Sequence, residues 1–261
     1  MLKPGSLQRV LFFDVETAAA RPDYSGYSAV MQKHWERKAR RMNEYDAAAG
    51  EEQFEELYHE RAAIFAEFAR VVCISCGIYA GDPQTADFAL RSVAGGNERE
   101  LLIKFREILN KHIPELPMRN NPAYLCGHNI QGFDVPMLSR RYLINGLELP
   151  VALDVANLKP WDMTHLLDTQ SYWRFGDFRH FVPLELLTEL FGHPTPKDAL
   201  GGAYVSSTFW DKKDLHSIAF YCEEDVVATA RVALSLSNLA PVAENKLDRK
   251  EMVKCGEPGE R

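Results

Sequence analysis

Apolar and polar positions alternate between two periods along this chain, and the changes of period divide it into elements. The first run, Val10-Leu11-Phe12-Phe13-Asp14-Val15-Glu16, has the length and residue types of a buried strand, yet two acids stand at its end. A buried strand that closes on carboxylates is a conflict between local pattern and environment, and such conflicts mark candidate sites. Residues 26–69 change character, with few β-branched residues and many Ala, Glu, Lys and Arg at helical spacing, which predicts an inserted helical hairpin. Two strands follow at 70–80 and 86–93, joined through the turn signal Gly81-Asp82-Pro83. Leu101, Leu102, Phe105, Ile108 and Leu109 give 97–112 an amphipathic helical face, ended by Pro114 and Pro117.

A short strand at 123–126 leads into the loop Gly127-His128-Asn129 and then a helix over 132–144, the order in which α/β folds place functional groups at strand ends. Lys159-Pro160-Trp161 breaks the chain before a strand at 164–168 that ends in Asp168. A helix over 183–191 stops at Gly192, a Gly-rich loop covers 192–205, and a long helix runs over 214–237. The expected organisation is one domain over 1–240, with 26–69 as its insertion. Residues 241–261 form a charged tail expected to fray.

Composition narrows the class. With 261 residues, 46% apolar and 26% charged, the chain is long enough to bury its own core. Its longest apolar runs, 71–80 and 181–191, fall far short of the roughly 20 residues of a membrane-spanning helix. Met1-Leu2-Lys3-Pro4 lacks the residue order of a secretory leader, so the expected location is cytoplasmic, without a membrane partner. Five scattered cysteines argue against a disulfide framework. Cys73 and Cys76, three apart on a strand, should face opposite sides and so make a poor zinc pair. The net charge of −7 disfavours nucleic acid as a partner unless bound cations reverse the local field.

The candidate chemistry lies in acids. Asp14 and Glu16, two apart on a strand, project from one face and can grip a cation together. Tyr221 and Asp225, four apart on a helix, stand side by side. Leu215, Ile218, Cys222 and Val226 form an apolar stripe beside them that draws Asp225 toward the core edge. Asp134 follows Phe133 at a helix start, where a carboxylate favoured by the helix dipole is the simpler explanation for that residue taken alone.

Phe13-Asp14-Val15-Glu16-Thr17, Gly127-His128-Asn129-Ile130-Gln131-Gly132-Phe133-Asp134 and Tyr221-Cys222-Glu223-Glu224-Asp225 together resemble the three exonuclease motifs of the DEDD superfamily, in order, spacing and context, from residue 9 to about 237. Tyr in the third motif is similar to the DEDDy branch. The chain resembles most the predicted exonucleases related to the proofreading domain of family-B DNA polymerases, with 183–192 and Gly201-Gly202-Ala203-Tyr204-Val205 also fitting that subgroup. The resemblance implies an α/β, RNase H-like fold: a mixed five-stranded sheet flanked by helices, here with a helical insertion after the first strand. It implies a 3′-5′ exonuclease acting on single-stranded nucleic acid, DNA favoured over RNA, with two divalent cations, Mg²⁺ or Mn²⁺.

In that scheme Asp14 bridges both cations, Glu16 and Asp225 complete the one beside the attacking water, Asp134 holds the other, and Tyr221 orients the water. Thr17 and Phe133 are candidates for touching the terminal nucleotide, although Phe at a helix start is commonly core. His128 and Asn129 are candidates for shaping the loop, and Lys33, Arg37, Lys38, Arg40 and Arg41 either guide the strand or simply face solvent. The alternatives are an exoribonuclease with the same site, an inactive exonuclease-fold binding module, and a metal-dependent phosphohydrolase with a small substrate.

Overall fold

The computed structural model describes residues 2–42, 51–81, 86–113, 123–177, 179–194 and 202–259. The first strand, β1 (Val10–Ala19), is the centre of the sheet. On one side it pairs antiparallel with β2 (Ala69–Tyr79), which pairs antiparallel with β3 (Phe88–Ala94). On the other it runs parallel to β4 (Tyr124–Gly127), which is parallel to β5 (Leu166–Asp168). These are the five expected strands, in the order β5-β4-β1-β2-β3.

Strand alternation sends successive β1 side chains to opposite layers. Leu11, Phe13 and Val15 enter a core with Leu101 and Phe105 of α3 (Glu98–His112) and Leu138 and Tyr142 of α4 (Asp134–Ile144). Val10 and Phe12 face the other way, into a core whose helix is the long one near the end of the chain, supplying Val226, Val227, Ala230 and Leu234. The expected cysteine geometry follows the same rule: Cys76 joins the first core, while Cys73 lies on the opposite layer against Cys222 and Ile218.

The insertion after β1 forms the expected pair of helices, α1 (Ala29–Met42) and α2 (Glu51–Arg61), around their own core of Trp35, Ala39, Phe54 and Tyr58. The Trp35 indole N–H donates to the Phe54 carbonyl at 2.8 Å, which satisfies the polar edge of a fully buried ring. Part of the basic block is used locally: Lys38 Nζ lies 3.8 Å from the Phe65 ring centroid, and Arg40 covers Phe54. The Asp82-Pro83 turn, Pro114, Pro117 and residues 195–201 of the Gly-rich loop lie outside the described residues.

After α4 and β5 come three helices, α5 (Thr169–Arg174), α6 (Leu184–Leu190) and α7 (Gly202–Ser207), and then the long helix, α8 (Leu215–Leu236). No helix among the described residues is long and apolar enough to cross a membrane.

The segment after Pro241 departs from expectation. It does not fray but adds β6 (Leu247–Arg249) and β7 (Val253–Lys254), both parallel to β3, so the sheet has seven strands rather than five. Gly95 and Gly96 admit this chain: a Cβ on either would stand within 2 Å of the carbonyl oxygen of Cys255 or Glu257. The tail also brings Arg249 to α8, where it bonds buried Glu223 at 2.8 Å, pairs with Glu224 and covers the Phe220 ring.

Candidate active site

Alternation that sends Phe12 to the α8 layer sends Asp14 and Glu16 there too. They are the only two residues of β1 that are not fully buried. The opening has a topological origin. β1 and β4 pair only as far as Phe12 and Cys126, beyond which β4 turns into the His128 loop and leaves a gap beside Asp14. α4 begins at that gap with Asp134, whose carboxylate accepts its own N–H and that of Val15. α8 closes the other side with Tyr221 and Asp225 one turn apart, the phenol donating to the carboxylate. Asp14, Glu16, Asp134 and Asp225 thus line one cleft of about 430 Å³.

The loop that presents Asp134 is held by a fifth acid. Asp168, at the end of β5, accepts the N–H groups of Asn129 (2.9 Å), Gln131 (3.1 Å), Gln170 (3.0 Å) and Ser171 (3.2 Å). It therefore caps α5 and fixes the Asn129 turn at once, and its lone pairs are committed to the backbone. Asn129 takes a left-handed conformation, φ 59°, which Asn tolerates better than most residues.

The four cleft carboxylates are less fully compensated, with two N–H donors on Asp134 and the phenol on Asp225. No ion pair reaches any of them among the described residues. Burial first, and then repulsion from Asp134, pushes Asp14 up to about 8. Asp225 rises to about 8, through burial and then Asp14. Burial carries Asp134 to about 7, against the pull of its two N–H donors. Glu16 is driven well above the usual carboxylate range by burial, Asp14 and Asp225. Tyr221 is also pushed above its ordinary value, chiefly by burial and by Asp225, so the phenol is a donor rather than a base at neutral pH. Hard oxygen donors crowded without a counter-charge are what Mg²⁺ or Mn²⁺ would relieve, so the residues fit a cation site.

Of the other sequence candidates, His128, Asn129 and Phe133 line the same cleft. His128 has both ring nitrogens engaged, Nδ1 with Thr169 Oγ1 and Nε2 with the Val182 carbonyl, each at 2.9 Å. Phe133 also packs on Ala66 and Met137. Thr17 lies elsewhere: a bulge between Glu16 and Thr17 turns it away, and its buried hydroxyl donates to the Ala63 carbonyl at 2.8 Å. The basic block of α1 is not part of the cleft lining.

The sequence placed Cys222 only in the apolar stripe of α8, yet its thiol donates to the Asp14 carbonyl at 3.4 Å and lies 3.6 Å from Oδ2. Its place next to Tyr221 was the available signal. Gln170 and Phe181, also on the cleft wall, sit in segments with no period to mark them.

The model of the family described as predicted 3′-5′ exonuclease related to the exonuclease domain of PolB matches residues 64–255. That span holds Asp134, Tyr221 and Asp225, and begins after Asp14 and Glu16. Among solved structures, the chain is similar to the family B DNA polymerase from the hyperthermophilic archaeon Pyrobaculum calidifontis, with a TM-score of 0.53 and 16% identity. The likeness covers 88% of this chain but 24% of the polymerase, and it gives the fold: a mixed sheet flanked by helices, RNase H-like. No curated protein matches the chain in sequence.

Proposed function

The chain belongs to the predicted 3′-5′ exonucleases related to the exonuclease domain of PolB, and we propose that it removes nucleotides from the 3′ end of single-stranded nucleic acid, releasing nucleoside 5′-monophosphates. The observation that carries this reading is the convergence of four carboxylates from β1, α4 and α8 in one open cleft, without an ion pair among the described residues, beside a protonated tyrosine bonded to Asp225. A preference for DNA over RNA rests on the family's relation to PolB and on the DNA polymerase whose fold it shares.

Asp14, Glu16, Asp134 and Asp225 would hold two divalent cations, Mg²⁺ or Mn²⁺, which supply an acidified water and charge to stabilise the pentavalent phosphorus and the departing oxygen. The protein's own groups supply orientation. Tyr221 keeps its proton and is tied to Asp225, so it can hold the attacking water by hydrogen bonding without taking its proton. Asp168 fixes the turn before α4, and the Val15 N–H holds the Asp134 carboxylate at the gap in the sheet. Phe133 and Asn129 form the wall on which the terminal nucleotide would rest.

The test is degradation of 5′-labelled single-stranded DNA and RNA oligonucleotides with Mg²⁺, Mn²⁺ or EDTA, beside Asp14→Ala. The expected result is a ladder shortening from the 3′ end, faster on DNA, that EDTA and the substitution both abolish. Absence of cleavage of both polymers under every metal would overturn the reading in favour of a binding module.

A further inference from the structure

A phenylalanine on the wall of this cleft is held out in solvent by a built support. Phe181 is 68% exposed, although it lines the same cleft as the carboxylates. An exposed aromatic alone would mean little. Here the backbone on both sides of the ring is pinned. The His180 carbonyl accepts Arg174 Nε at 2.9 Å. The Val182 carbonyl meets His128 Nε2 at 2.9 Å and accepts Gln170 Nε2 at 3.4 Å. Val182 itself is buried against Leu187 and Val232.

Arg174 also covers the ring, its guanidinium carbon 4.2 Å from the centroid, and is held in turn by Gln170 Oε1. The result is a flat aromatic surface, immobilised at its backbone and backed on one side by a fixed positive charge, at the mouth of a negative cleft. The loop residue His128 provides part of that support, so the platform is tied to the element that carries Asp134.

We propose that Phe181, braced by Arg174, is a stacking platform for a base of the single strand upstream of its terminal nucleotide, with Arg174 supplying charge complementary to the adjoining phosphate. This rests on the exonuclease reading. Every base has a π face, so such a platform recognises an unpaired strand without reading its sequence. Bases inside a duplex, stacked on one another on both faces, cannot use it. The exposure of Phe181 sets it at the mouth rather than the floor, where Phe133 lies, and that assigns it to an upstream base.

The test is equilibrium binding of a fluorescent single-stranded oligonucleotide in Ca²⁺, comparing wild type with Phe181→Ala and Phe181→Trp. A set of strands carries one abasic residue at successive positions from the 3′ end. Phe181→Ala should weaken binding roughly tenfold, within the range for one lost base stack, and Phe181→Trp should restore it. One upstream abasic position should weaken wild-type binding by a similar factor and cost Phe181→Ala nothing more. Undiminished binding by Phe181→Ala, or abasic losses that stay additive at every position, would overturn the platform while leaving the exonuclease intact. Binding with the expected coupling but no hydrolysis in Mg²⁺ or Mn²⁺ would uphold the platform and sink the exonuclease. A wild-type protein that neither binds nor cleaves the strand would overturn both.

Discussion

The molecule treats the acid on its α3/α4 layer and the acids of its cleft in opposite ways. On the α3/α4 layer, Glu98 accepts the Val71 N–H and Arg141 Nε at 2.8 Å and Asn145 Nδ2 at 3.0 Å, while Arg141 also donates to the Ala66 carbonyl at 2.9 Å. Every charge there has a partner. In the cleft, Asp14, Glu16, Asp134 and Asp225 crowd together, and their main effect on one another is repulsion. Even on α8 itself the two treatments alternate, since Glu223 is satisfied by Ser92 and Arg249 while Asp225, two residues on, faces the cleft. A fold that gives Glu98 and Glu223 cationic partners, and among the described residues gives the cleft acids none, has left that place for a charge from outside.

Breaking each side of this contrast should give different kinds of damage. The largest effect should come from Asp14→Ala, which lowers turnover by roughly 10⁴-fold, of the order seen on removing a central catalytic group, as read in single-turnover assays. Without metal, its urea midpoint should not fall, because a repulsive charge has gone. Arg141→Ala should do the reverse. It leaves Glu98 buried and unpaired, at a cost of about 3–5 kcal/mol in urea unfolding, with turnover per folded molecule changed little.

Tyr221→Phe should lower turnover by about 10²-fold, the low end for a group that handles a proton or orients water, with cation affinity by calorimetry unchanged. A further effect should appear in the pH dependence of the metal-free protein. The cleft carboxyls titrate at about 7 to 8 when folded and near 4 when unfolded, so the folded state binds more protons between those limits. Their contribution to stability should therefore be fully present below about pH 4 and be lost toward pH 8. Saturating Mg²⁺ should flatten that slope, and a slope of the opposite sign would contradict the account of the site.

How much of this was legible in the sequence depended on whether a residue broke a period. Asp14 and Glu16 interrupt an apolar strand, and Tyr221 and Asp225 sit one helical turn apart, so simple geometry brings each pair to one face. Thr17 misled because it continues the strand in sequence while the bulge before it ends the alternation in space. Phe181 and Asp168 gave little signal: one lies in an irregular segment, and the other acts through four backbone N–H groups that no side-chain pattern encodes. The strands of the tail were hidden for a further reason. β6 and β7 are three and two residues long and rich in charge, and they become strands only because β3 offers an unpaired edge. Gly95-Gly96, between β3 and α3, was the trace of that close approach.

That late pairing also bears on how the molecule reaches its native state. Phe88 and Leu247 meet across roughly 160 residues of chain, so the β3 edge must wait for one of the longest loops in the protein to close. Until then β3 presents open backbone donors and acceptors to any neighbouring chain, the condition under which partly folded proteins associate edge to edge. A protein shortened at Pro241 would keep its carboxylate cleft but carry that open edge permanently. Concentration-dependent aggregation during refolding, more than lost catalysis, is the expected mark of its absence.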